Sequence, residues 1–267
     1  MPQSTNLNRS PYYDDFNASK NYYKVLFKPG VTVQTRELTT LQSILQNQIE
    51  RFGSKFFSDG GVVVPGAVAY DSTYNAIELN NSFKGLDVEE YFNQLVGKII
   101  RGSITGITAK VVKVLSRLES DRENTTLYVK YQTSSPDNFE TEIFQNGEEI
   151  TTTEDIILGA GFIFAGESIA SVANPIGRNA TSVGSAASIE EGVFFIRGYF
   201  VTVEKETIVL DQYTNTPTYR VGLSISEIIN DSNDDSSLND NAQGFSNFAA
   251  PGADRFSIKL SLSKKSV

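Results

Sequence analysis

Three adjacent glutamate pairs, Glu89-Glu90, Glu148-Glu149 and Glu190-Glu191, come first when the chain is searched for acid–base chemistry. A glycosidase needs two carboxyl groups that converge across a cleft. Neighbouring residues on a strand point to opposite faces, so these pairs read as solvated turns. Asp231, Asp234, Asp235 and Asp240 offer oxygens to a calcium ion. They lack the Asp-x-Asp-x-Asp-Gly order and the closing glutamate of a calcium loop, and the block reads as a solvated loop. GAGFIFAG spaces its glycines as G-x-G-x4-G, and GRNATSVGS has no lysine to follow its second glycine. Neither cradles a phosphate, and both read as flexible or tightly turning backbone. Histidine and cysteine are absent. That removes the commonest general base, the thiolate nucleophile, the thiolate metal ligand and any disulfide framework. The expectation is a protein that is not an enzyme, with no catalytic residue, no cofactor and no metal.

The totals point the same way. With 39% hydrophobic and 21% charged residues in 267, the chain is a folded protein large enough for two or three modules. Seventeen Phe and twelve Tyr without Trp favour strands. A net charge of -9 argues against a general phosphate-binding surface, so no nucleic-acid partner is expected. No apolar run is long enough to span a bilayer and the N-terminus has no apolar leader core. The expectation is no membrane insertion and folding in a cytoplasm.

What would position side chains is a series of β elements preceded by one helix. Residues 1–34 read as an extended arm carrying the cluster Tyr12-Tyr13-Asp14-Asp15-Phe16, whose exposed aromatics ask for a partner. GGVVVPGAVAYDSTYNAIEL reads as two strands in a hairpin, kinked at Pro65-Gly66. LDVEEYFNQLVGKII begins as a short helix at Asp87 and becomes a strand near Lys98. IIRGSITGITAKVVKVL, NTTLYVKYQT and NFETEIFQNGEEI are strand-like, with a turn at Asn146-Gly147, and suggest a small barrel or sandwich over 97–153. The Gly, Ala and Ser-rich stretch Gly159 to Ser188 reads as irregular with short strands. GVFFIRGYFVTVEKETIVLD is a second hairpin. The ending alternates Phe256, Ile258, Leu260 and Leu262 on one face of a final strand.

The helix, RELTTLQSILQNQIERFGSKFF, carries Leu38, Leu41, Leu45, Ile49, Phe52 and Phe56 at spacings of 3, 4, 4, 3 and 4, an α-helical stripe near heptad spacing. Thr35 is the expected N-cap without a full capping box, and Gly53 the expected C-cap. A stripe of this kind ordinarily packs on its own sheet. The polar side, with Gln42, Ser43, Gln46, Asn47 and Gln48, is amide-rich and uncharged. Amides can meet protein on more than one side without burying charge, so this side is the expected contact with neighbours.

YYDDFNASKNYYKVLFKPGVTVQTRELTTLQSILQNQIERFGSKFF, followed by VVVPG, resembles the opening of a family of tailed-phage virion structural proteins. YTNTPTYRVGL and AAPGADRFSIKLSLSKK are similar to the same family, whose N-terminal region carries a domain of unknown function. The resemblance implies a structural component of a contractile-tailed bacteriophage, in the baseplate or where tail fibres attach, residing in the virion and working through viral assembly. It implies other tail proteins as partners and a homo-oligomer, a trimer by analogy. A glycan-binding or depolymerising tail protein and a head or neck decoration protein stand as alternatives.

The chain is therefore expected to be mainly β. The expected modules are an arm over 1–34, the helix with a first hairpin over 35–96, a barrel-like insertion over 97–153, and a second β module over 154–267. The expected protein interface comprises Tyr12, Tyr13, Phe16, Leu38, Leu41, Gln42, Leu45, Gln46, Gln48, Ile49 and Phe52.

Overall fold

A computed structural model describes residues 3–133, 142–158 and 161–267. The protein is mainly β, as its strand-like runs predict, with one α-helix among the described residues, Thr35–Phe56. Its principal strands begin with β1 (Gly61–Val64), β2 (Val68–Glu78), β3 (Ile99–Gly102), β4 (Thr108–Leu115), β5 (Thr126–Tyr131) and β6 (Glu149–Thr152). They continue as β7 (Ser168–Ser171), β8 (Thr181–Ile189), β9 (Gly192–Ile196), β10 (Tyr199–Val203), β11 (Glu206–Asp211), β12 (Tyr219–Asn230) and β13 (Arg255–Ser266). The chain forms two compact units.

The first unit comprises Met1–Val68, Ser188–Glu206 and Val221–Ser263. It holds the helix and a three-stranded sheet ordered β1-β9-β10. β9 and β10 form the second hairpin expected from sequence, in register from Gly192 opposite Val203 to Ile196 opposite Tyr199. The linking residues Arg197 and Gly198 have φ of 50° and 84°. Such a left-handed pair matches the twist of the strands it joins. β12 and β13 pair in a two-stranded ribbon, with Leu260 and Leu262 buried on the face that alternation marked.

The second unit comprises Ala69–Ala187, Thr207–Arg220 and Lys264–Val267. Its sheet runs β7-β6-β3-β4-β5-β2-β8-β11. β3, β4 and β5 follow one another as an antiparallel meander, and β3 takes β6 on its other side. These strands of the 97–153 segment therefore share one sheet with strands from elsewhere in the chain. Ile77, Leu79, Leu95, Ile100, Leu127 and Ile150 are fully buried in its core.

Several local expectations are corrected. β1 and β2 are not a hairpin: β1 pairs β9, whereas β2 pairs β5 in the larger sheet. Pro65-Gly66 is the break between them, where a Cβ on Gly66 would lie 2.5 Å from the Glu190 carbonyl oxygen. The short helix at Asp87 is two 3-10 turns, Val88–Glu90 and Phe92–Leu95. The stretch after Gly159 contains the nine-residue strand β8, not merely short ones. Its small residues let chains approach closely, since a Cβ on Gly184 would meet the Gln212 carbonyl oxygen at 2.8 Å. The strand read across NFETEIFQNGEEI lies outside the described residues over 138–141. Its described remainder is strand only from Glu149, after a turn at Gly147. Gly159 and Ala160 of GAGFIFAG also lie outside.

Candidate assembly surface

The helix begins one residue earlier than expected, with Gln34 and not Thr35 at the N-cap. Thr35 is its first residue, and Glu37 Oε2 accepts the backbone N–H of Gln34 at 3.0 Å. A capping box is therefore present, contrary to expectation, because with Gln34 at the N-cap the residue three places on is Glu37 and not Leu38; it satisfies a donor that a helix start leaves open. Nor does the helix stop at Gly53: it runs to Phe56, where the Phe57 N–H reaches the Gly53 carbonyl at 2.9 Å. Gly53 is interior and buried, because the ring of Phe195 lies where its Cβ would be, 2.5 Å from Cε2.

The buried side of the helix is Ser43, Ile44, Asn47 and Gly53, three of them polar or glycine. Ser43 Oγ donates to the buried carboxylate of Asp14. Gln46 Nε2 donates to the Gly198 carbonyl at 2.7 Å. Beneath the last turn, Phe57, Phe195 and Phe200 cluster with ring centroids 5.3 to 6.0 Å apart. The helix is thus attached by hydrogen bonds and a glycine notch rather than by its stripe.

The stripe faces outward instead of packing on the helix's own sheet as such stripes ordinarily do, which leaves Leu38, Leu45, Ile49 and Phe52 of the expected interface in solvent. Leu38 is 49% exposed, Leu45 58%, Ile49 46%, Phe52 67% and Phe56 68%, with Leu41 half-buried. Phe52 and Phe56 rest on each other at 4.9 Å between centroids. Gln42 and Gln48 flank the stripe in solvent, but Gln46 departs from the expected outward amide face because its amide is committed inward.

The arm divides in two. Its first part is tied to the unit: Glu227 accepts the backbone N–H groups of Ser4 and Thr5 at 2.8 and 2.6 Å, and Arg197 at 2.5 Å. Burial alone would raise the Glu227 pKa, but the donors from Thr5, Ser4 and Arg197 outweigh it and hold it at about 2. Tyr199, pushed up to about 12 by burial, donates to Gln3 Oε1 at 2.8 Å. Tyr12 bonds Asp254 at 2.5 Å and is half-buried, as is Phe16, whereas Tyr13 is exposed. A second part, Tyr22 to Val33, has no helix or strand, turns at Pro29-Gly30, and is open to solvent, including Tyr22, Tyr23, Leu26, Phe27, Val31 and Val33.

The expected solvated carboxylates divide as well. Glu190 pairs Lys205 at 2.8 Å between half-exposed or more exposed side chains, and Glu89 Oε1 accepts the Arg117 N–H at 2.6 Å. Glu148 is fully buried, a correction to the solvated reading. It accepts Ile104 N–H, Thr105 N–H, Thr105 Oγ1 and Gln145 N–H at 2.6 to 3.0 Å. Two carboxylates that sequence reading passed over carry comparable weight. Glu227 is one. The other, Glu78 on β2, is fully buried and meets Arg178 bidentately, Arg122 at 2.6 Å and Asn124 at 3.1 Å. Burial pushes Glu78 up, yet Arg178, Arg122 and Asn124 together hold it below the ordinary carboxylate value. The signal for both was available: each is an acid inside a strand run of apolar neighbours.

Asp231 turns back on its own loop, accepting the Asn233 and Asp234 N–H groups at 2.7 and 3.2 Å. Among the described residues, no three His, Cys, Asp or Glu side chains gather as a metal site would require. No helix among them is long and apolar enough to cross a membrane.

The fold and this surface define a mainly β protein that turns an apolar helix face to solvent. The chain belongs to the family described as Domain of unknown function (DUF4815), whose model matches residues 10–83 and 142–266. No curated protein and no solved structure matches it.

Proposed function

We propose that the protein is a structural component of a tailed-bacteriophage virion, sited in the baseplate or at tail-fibre attachment, and that it works by protein–protein assembly without catalysis. The observation that carries the assembly part is the outward stripe of Leu38, Leu45, Ile49, Phe52 and Phe56. A continuous apolar face on a folded unit is an interaction site or an aggregation liability, and a role in a permanent multi-protein particle supplies the cover. The open arm segment Tyr22 to Val33 supports the same reading, since an exposed chain with no strand partner of its own can add to a neighbour's sheet edge. The tail location rests on the sequence resemblance at the helix and at both ends of the chain. On this reading the partners are other tail proteins and further copies of the chain, and the protein resides in the virion after synthesis in the host.

Electron cryo-microscopy of intact particles tests the proposal. Density for the three-stranded sheet and helix in the tail, with the stripe covered, is the expected result. Finding the protein in the head or neck, or not in particles at all, overturns it.

A further inference from the structure

The stripe is complementary to itself when two helices run in opposite directions, and we propose that a second copy of this chain covers it in that way. The inference rests on the assembly reading above and names the partner of the same surface. Laid antiparallel with Leu45 opposite Ile49, two copies also set Leu41 against Phe52 and Leu38 against Phe56, so every apolar residue of one stripe meets one of the other. From Leu38 to Phe56 the stripe spans five helical turns at 3.6 residues each. A stripe with that period stays straight along the helix and can be matched over its whole length.

Charge agrees with the direction. Glu37 and Lys55 are separated by the same five turns, so they lie on one flank at opposite ends of the helix. A twofold axis brings like flanks together, which sets Glu37 of each copy near Lys55 of the other. A parallel arrangement forms no such pair. Between Glu37 and Lys55 on that flank lies the uncharged Gln48, and the opposite flank carries the uncharged Gln42, so the rims beside the stripe add no like-charge contact for a chain with net charge -9. With about 150–250 Å² for a fully exposed large side chain, the pair buries roughly 1,000 Å², the size at which a specific interface begins. No second α-helix exists among the described residues to cover the stripe from within the chain.

The absence of cysteine makes the test direct. Sedimentation velocity of the purified chain should show a dimer, and Leu45→Glu should convert it to a monomer with an unchanged circular dichroism spectrum. Oxidation of an equal mixture of Leu38→Cys and Phe56→Cys chains should cross-link the two variants, while neither links to itself. In an antiparallel pair like positions at these ends stand about 27 Å apart. A monomeric native chain overturns the proposal, and so does self-linking of Leu38→Cys, the mark of a parallel dimer or threefold bundle. A monomer that nevertheless occupies the tail would end the pairing and leave the assembly reading intact. A stripe-linked dimer missing from particles would do the reverse.

Discussion

Gln46 donates its side-chain amide to the carbonyl oxygen of Gly198 across 2.7 Å, joining the middle of the helix to the tip of the β9–β10 turn. That bond shows which way the helix faces, because Gln46 lies inward while Leu45 and Ile49 lie outward. Gln46→Ala should lower stability by about 1 kcal/mol, the usual net value of such a bond. Gln42→Ala, in solvent, should stay within about 0.5 kcal/mol of native. Urea denaturation measured on both variants checks the contrast.

The glycine notch makes a sharper claim. Gly53→Ala places a methyl group 2.5 Å from Phe195 Cε2 in a packed aromatic cluster. Overpacking of that kind typically costs about 1–3 kcal/mol, which outweighs the roughly 1 kcal/mol that alanine gains over glycine in a helix. Calorimetry should therefore show a lower melting temperature for a substitution that helix propensity alone would favour.

Glu78 neutralises two arginines from a fully buried position. Glu78→Ala should destabilise the protein by about 1–3 kcal/mol, because Arg122 and Arg178 lose their shared buried acceptor while both stay partly open to solvent. Arg178→Ala should cost less, since the Arg178 side chain is 37% exposed and Arg122 still answers the carboxylate. Chemical denaturation of the two variants orders them.

The Glu227 clamp is sensitive to acid. Its folded pKa of about 2 lies below the ordinary 4.5, so its stabilisation is fully present above that value and is lost as pH falls toward 2. Hydrogen exchange at the Ser4 and Thr5 amides should accelerate over that interval, beyond the intrinsic pH effect, as their acceptor becomes protonated. In Glu227→Gln the interval should vanish, with exchange already fast at neutral pH.

Much of the fold could be read from local pattern. Strand alternation located β9, β10 and β13, and the 3-4 spacing located the helix, because neighbouring residues alone determine those signals. What the pattern did not carry was partnership. β1 and β2 adjoin in sequence and look like a hairpin, yet they enter different sheets. The choice is made by β9, far along the chain. β8 escaped notice because Gly184, Ser185, Ala186 and Ala187 lack the branched side chains by which strands are recognised. The surface was half legible. The stripe was legible as such and its residues stood in the expected interface, although the usual rule turns apolar faces inward. The rule failed because Ser43 and Gln46 bond inward and Gly53 lets Phe195 approach closely, so the inner face is held without the stripe.

The position of β2 between β5 and β8 in the larger sheet carries a consequence for synthesis. One edge of β2 is covered once Tyr131 has left the ribosome, but the other waits for Thr181–Ile189. At about 5–20 residues per second, the hundred or so residues between β2 and β8 leave that edge bare for roughly 5–20 seconds. During this time Tyr74, Ala76 and Glu78 belong to a nascent strand that any neighbouring chain on the same polysome can engage. The interval between making β2 and making β8, which translation speed sets, is therefore expected to bear on the yield of correctly folded protein.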